Sequence, residues 1–281
     1  MNSENKVLAC VSQSQLADHV TDYAAWAAVR LAAPLELLHV IERHPELGSG
    51  DDRSGTIGID AQEALLTKLA ADDENQAKSL RERGRRHLNG LRERALGTGA
   101  ATVDVRQRYG ELDETLAELE GDARLVVMGR TMPFVPSVGF ERAVRSSRRP
   151  VLTVPGPFSV VERVMIAFDG GIASRHGVEL VAASPLFRQC RIYLLMSGNE
   201  SAGAARQLEW ARQIFKTAGL EVNATLMPGS AADVIPNAVK AAAIDLLVMG
   251  AYSHSPLQSL VRGSKTSELL RSFSIPTLLM R

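Results

Sequence analysis

The chain has 281 residues, 45% of them hydrophobic and only 5% aromatic, and its 32 basic residues balance 32 acidic ones. That length is generous for one open α/β sheet and comfortable for two domains with cores of Ala, Val, Leu and Ile. Zero net charge excludes a global field that would draw the protein to nucleic acid or an anionic membrane, and no segment is apolar for the ~18 residues a membrane span requires.

Met1–Lys6 leads directly into a strand, without the apolar stretch of a signal peptide. Cys10 and Cys190 have neither a disulfide framework nor metal-ligand spacing, which suits a reducing compartment, so a cytoplasmic protein is expected. Val7–Val11 reads as a first strand, Ala17–Ala33 as a helix and Leu35–Ile41 as a second strand. An insertion follows at about residues 42–77. Its loop-like Gly48-Ser49-Gly50-Asp51-Asp52 and polar Asp72-Asp73-Glu74-Asn75 predict a surface loop, with a charged amphipathic helix from Ala77 onward. Val103–Arg108 is the third strand. Arg124-Leu125-Val126-Val127-Met128-Gly129 is an apolar run of the kind buried on both faces of a parallel sheet. Val151–Val154 follows Pro150, which predicts an edge strand. The basic stretches Arg81–Arg86 and Arg142–Arg149 read as solvated faces.

Pro155-Gly156-Pro157-Phe158-Ser159 is a linker signal, and after it the pattern repeats. Strands are predicted at Val164–Phe168, Ile192–Met196, Val222–Met227 and Asp245–Gly250, and at Thr277–Met280 after Pro276. Helices fall at Ser174–Ala183, Ala204–Ala218 with Gly219 as C-cap, and Ala231–Ala242. Asp245-Leu246-Leu247-Val248-Met249-Gly250 nearly superimposes on Arg124–Gly129. Alternating strands and helices imply βαβ units with right-handed crossovers. The expected fold class is α/β, with two tandem domains, 1–155 and 160–281, each an open parallel five-stranded sheet flanked by helices.

After Gly250 come Ala251-Tyr252-Ser253, nine residues, then Gly263-Ser264-Lys265-Thr266 and a helix over Ser267–Arg271. This has the physics of an anion site. Open parallel sheets bind ligands at the carboxyl ends of their strands, and a glycine there admits close backbone approach. Amides opening a helix are unpaired and favour negative charge. Ser264 and Thr266 add hydroxyls and Lys265 adds a cation. The turn Phe168-Asp169-Gly170-Gly171-Ile172-Ala173-Ser174 follows the domain's first strand. On residue chemistry alone, Asp169 and Ser264 also fit as simple helix caps.

The spacing G-x2-S-x9-G-S resembles the G-x2-G-x9-G-(S/T) motif of ATP-binding universal stress proteins, with Ser253 in place of the second glycine. Phe168–Ser174 resembles that family's V-D-G-S-x-x-S turn. The resemblance implies Rossmann-like domains of the adenine nucleotide alpha hydrolase type and a role in stress response. It also implies ATP or another adenine nucleotide, with Mg as an admissible companion, in the second domain. Asp169 would then contact the nucleoside, and Gly250, Ser253, Gly263, Ser264, Lys265 and Thr266 would surround the phosphates. Ser197 stands where the family places an apolar residue beside the adenine, which makes that pocket more polar. The family dimerises through its last strands. Here the two domains can make that contact within one chain, with a homodimer and an unidentified protein partner left open.

The first copy lacks this chemistry. Ser12 replaces the Asp, Met132 replaces the second small residue, and the only nearby glycine, Gly139, precedes Phe140-Glu141, whose carboxylate repels phosphate. A structural or partner-binding role without ATP is predicted for it. Two alternatives accompany the nucleotide reading. One is a nucleotide-free stress-response scaffold, favoured by Ser253 and Ser197. The other is an ATP pyrophosphatase-type enzyme, whose S-G-G-x-D-S turn is missed because Asp169 and Ala173 replace its first Ser and its Asp. A Walker A reading of Gly263–Thr266 fails on glycine spacing. No catalytic set is visible, so a non-enzyme is expected, with slow ATP hydrolysis left open.

Overall fold

The computed structural model describes residues 5–41, 59–133, 138–251 and 265–281, with backbone alone for 59–77, 138 and 265–268. The first half contains β1 (Lys6–Cys10), α1 (Leu16–Leu31), β2 (Leu35–Ile41), α2 (Ile59–Gly97) and β3 (Val103–Tyr109). It continues with α3 (Leu112–Leu119), β4 (Ala123–Gly129), α4 (Val138–Ser146) and β5 (Val151–Val154). The second half repeats the order as β6 (Arg163–Ala167), α5 (Ile172–Ala183), β7 (Arg191–Ser197), α6 (Ala202–Thr217) and β8 (Val222–Met227). It ends with α7 (Ala231–Ala241), β9 (Leu246–Gly250), α8 (Lys265–Ser272) and β10 (Thr277–Met280).

Each half is a five-stranded parallel sheet, and the two join edge to edge in the order β3-β2-β1-β4-β5-β10-β9-β6-β7-β8. Among the described residues the only antiparallel pair is β5 with β10. These strands are central to the joint sheet, and its edges are β3 and β8, so the expectation that β5 and β10 are edge strands does not hold. Pro150 and Pro276 precede their strands, so their missing N–H groups fall outside the ladder. Their carbonyls still serve it, accepting from Val126 N at 3.0 Å and Leu247 N at 3.1 Å. Thr153 Oγ1 donates to Thr277 O at 3.1 Å across the junction.

Alternating strand residues feed two apolar layers. Val7 and Ala9 face the layer of α1, α2, α5 and α6, whereas Leu8 and Cys10 face that of α3, α4, α7 and α8. Both layers run across both halves. The linker is pinned to α1: Phe158 packs edge-on to Tyr23 at 4.9 Å, and Ser159 N donates to Tyr23 OH at 3.2 Å. Gly219 ends α6 with φ +70°, while Leu220 N bonds Phe215 O and Gly219 N bonds Lys216 O, a Schellman closure.

The insertion departs from the predicted loop. Residues 59–77 belong to the 39-residue α2, which begins well before Ala77. No Gly or Pro interrupts 59–83, and Ala, Leu, Gln, Glu and Lys dominate it, so intrinsic propensity outweighs the polar run at 72–75. Residues 42–58 lie outside the described residues. No helix among the described residues is long and apolar enough to cross a membrane.

Candidate functional site

In the second half the chain moves outward from β6 to β7 and β8, then crosses to β9 and β10 on the other side of β6. The carboxyl ends of β6 and β9 therefore border the switch point where open α/β sheets receive ligands. Asp169 and Gly250 stand at those two ends.

Asp169 organises the turn that opens α5. Its Oδ1 accepts from Gly171 N at 2.9 Å and from Ser174 Oγ at 2.6 Å. The side chain is exposed, and no bond from the described residues reaches Oδ2. One carboxylate oxygen thus braces the turn ahead of α5 without capping the helix, whose N-cap is Gly171 and which has no side-chain cap bond, so the simple-cap reading of Asp169 does not hold.

The turn is braced from α6 and α5. Gly170 has φ +76°, and a Cβ there would lie 2.1 Å from Gln207 Oε1. Arg175 Nε donates to Gly170 O at 2.9 Å, while its guanidinium lies 4.8 Å above the Trp210 ring. Trp210 stacks on Phe168 at 6.1 Å. This Arg175–Trp210–Phe168 stack, with Gln207, escaped sequence reading. Trp210 carries only the periodic signal of an α6 core position, and a cation–π partner leaves no spacing rule.

Gly250 has a local reason to be glycine. A Cβ there would lie 3.2 Å from Ala173 Cβ, a tight contact that α5 would have to relieve by a few tenths of an ångström, so its close approach favours glycine. Ala251 N then bonds Met280 O at 2.7 Å before the chain leaves the sheet. Ser253, Gly263 and Ser264 lie outside the described residues. Lys265 and Thr266 form the first turn of α8. Because α8 returns the chain toward the start of β10, parallel to β9, its N-terminus belongs to the carboxyl edge of the sheet. Ser197 closes β7 at the same edge, half-buried.

The matching turn in the first half is held by two histidines. His87 of α2 donates from Nε2 to Ser12 O at 3.2 Å. His39 of β2 donates from Nδ1 to Val11 O at 3.0 Å, and its Nε2 lies 3.4 Å from Gln13 Nε2. Burial pushes the His39 pKa below its ordinary value. The bond to Val11 opposes this shift and the neighbouring His87 reinforces it. Gly139 lies in the first turn of α4, and Phe140 is buried in the core.

The universal stress protein family model matches residues 4–155 and 195–281. The universal stress protein Slr1230 of Synechocystis sp. (strain ATCC 27184 / PCC 6803 / Kazusa) is 30% identical over 284 residues, covering 98% of this chain and 99% of its own. Among solved structures, a universal stress protein of Archaeoglobus fulgidus DSM 4304 aligns at a TM-score of 0.72 and 14% identity, covering 99% of this chain and 96% of its own. A Pseudomonas aeruginosa UCBPP-PA14 protein aligns at 0.59 and 14%, covering 99% and 93%. At such identities the structures speak for the fold, a paired arrangement that spans the whole chain. The sequence matches carry the kinship: this chain, with its two tandem Rossmann-like halves, belongs to the universal stress protein family.

Proposed function

We propose that the second half binds ATP or another adenine nucleotide at the switch point between β6 and β9. In this reading the first half is its scaffold, and occupancy rather than turnover is the output in a stress response. The observation that carries it is Asp169, an exposed carboxylate at the carboxyl end of β6 whose Oδ1 is committed to the turn before α5 while Oδ2 takes no bond from the described residues. An ionised oxygen at a strand's carboxyl end suits a ribose hydroxyl. Gly263 and Ser264 would offer backbone amides to phosphate, Ser264 and Thr266 hydroxyls, and Lys265 an ammonium, with Ser253 at the turn. Mg would accompany the phosphates.

The free thiols of Cys10 and Cys190 support a reducing, cytoplasmic setting. Because β5 and β10 already pair within the chain, a homodimer or an unidentified protein partner would use another surface. One observation favours the alternative of a nucleotide-free scaffold: tight packing against α5 favours glycine at 250 without any ligand.

Mass spectrometry of protein denatured after purification, with titration calorimetry against ATP, ADP and AMP with and without Mg, tests the reading. Released nucleotide, or saturable binding, supports it. An empty protein that gives no heat at saturating ATP selects the scaffold, and rapid metal-dependent release of pyrophosphate selects an enzyme.

A further inference from the structure

Arg130 and Ala251 occupy equivalent places. Each follows the glycine that ends its β4-type strand, and each backbone N–H bonds the last residue of the neighbouring strand, Val154 at 2.8 Å and Met280 at 2.7 Å. Their side chains differ completely in reach. Arg130 crosses the junction between halves with only 1% of its surface exposed. Its Nη1 donates to Leu270 O at 2.6 Å, both Nη atoms approach Phe273 O at 3.3 Å, and Nη2 donates to Ile275 O at 3.0 Å.

These carbonyls belong to the last turn of α8 and its descent into β10. The last carbonyls of a helix lack intrahelical donors and carry the negative end of its dipole, so a cation forked across them holds the helix end in place. Burial lowers the Arg130 pKa to about 10, which still leaves it charged at neutral pH.

No equivalent arginine fork stands at Ala251 in the second half. Ala251 is buried and has no donor to send to α4. The end of α4 is closed within its own half, where the Glu120 carboxylate accepts from Ser147 Oγ at 2.6 Å and from Arg148 N at 3.1 Å. The half without nucleotide chemistry therefore supports the half that has it, and supports it at the helix whose other end carries Lys265 and Thr266.

We propose that Arg130 is a positioning residue for the nucleotide site, clamping the C-terminal end of α8 from the first half so that the opposite end is held ready for phosphate. The proposal rests on the reading of the second half as a nucleotide site. It makes the first half a determinant of affinity without contact with the ligand.

The test compares wild type with Arg130→Met, Arg130→Lys and Thr153→Val, by amide hydrogen exchange of the ligand-free proteins and by calorimetry with ATP. Thr153→Val removes an inter-half hydrogen bond without touching α8. Arg130→Met is expected to speed exchange of the α8 amides relative to those of β6 and β9, and to weaken ATP binding roughly tenfold. Arg130→Lys, which keeps the charge and the fold but not the fork, is expected to recover part of both. Thr153→Val is expected to change neither. If α8 protection falls only in step with the whole sheet, and affinity is unchanged, Arg130 is structural and the proposal fails while the site stands. If wild type binds no adenine nucleotide, the site reading falls and the ligand part of the proposal with it. Exchange at α8 then still decides whether the clamp exists. Should Arg130→Met not fold, the Lys variant alone decides: undiminished affinity with unaltered α8 exchange overturns the proposal.

Discussion

Leu152 of β5 and Leu278 of β10 are register partners in the antiparallel ladder that joins the halves, and the register is symmetric about this pair. The flanking pairs, Val151 with Leu279 and Thr153 with Thr277, lie symmetrically on either side. Both leucines are 1% exposed, in an apolar layer continuous across the halves. Such a junction should make the halves one cooperative unit. Leu278→Ala is expected to cost about 2–5 kcal/mol through lost burial and a residual cavity. Trp26 on α1 and Trp210 on α6 report on different halves, so single-Trp variants followed by fluorescence in urea should share one midpoint. Separate midpoints would show that the halves unfold independently.

Gly170 should not tolerate a side chain. Its φ of +76° penalises any L-residue by about 1–2 kcal/mol. The clash with Gln207 is a lesser matter, because that side chain end can swing away. Gly170→Ala is expected to lower stability by about that backbone penalty, and Gly170→Ala/Gln207→Ala to recover little of it. Full recovery in the double variant, measured by denaturant unfolding, would make the contact rather than the backbone the cause.

His39 should link stability to pH. Its folded pKa lies below the ordinary 6.5, chiefly through burial. Its contribution is complete above that value and is lost as pH falls through it toward the lower folded one, because the unfolded chain takes up the proton first. The carboxylates act in a separate, more acidic window. Burial opposes ionisation of Glu36, but hydrogen bonds from Lys6 and Arg106 outweigh it and hold the pKa below its ordinary 4.5. Thermal melts from pH 7.5 to 5 should therefore show a loss that His39→Gln flattens. An equal slope in the variant would place the titrating group elsewhere.

The tandem sheets were legible because a strand buried on both faces must be an apolar run, and the runs recur in one order between turn signals. What proved illegible depended on partners far apart in sequence. A proline before a short strand marks the start of the strand, but it does not say whether that strand is an edge, and β5 and β10 turned out to be each other's neighbours. The polar residues at 72–75 looked like a loop because polarity was weighed above unbroken helix propensity. Asp169 and Gly250 stand out through the resemblance of their turns to family motifs, yet the contact of Gly250 with α5 leaves no trace in the sequence. Arg130 was visible only as a residue after a glycine, since nothing local ties it to carbonyls some 140 positions away.

Asp169 offers the sharpest separation of fold from function. An asparagine at this position keeps an oxygen that can accept from Gly171 N and Ser174 Oγ, so the turn opening α5 survives. It loses the negative charge that an outward Oδ2 would present to a ligand hydroxyl. Hydrogen bonds to charged groups contribute about 1.5–3 kcal/mol, so Asp169→Asn should weaken adenine nucleotide binding by roughly ten- to hundredfold with an almost unchanged unfolding midpoint. Asp169→Ala removes the acceptor as well and should lower both affinity and stability. Calorimetry and urea unfolding on the two variants read these effects independently. Equal affinity in wild type and Asp169→Asn would confine Asp169 to bracing the turn before α5, whatever the site binds.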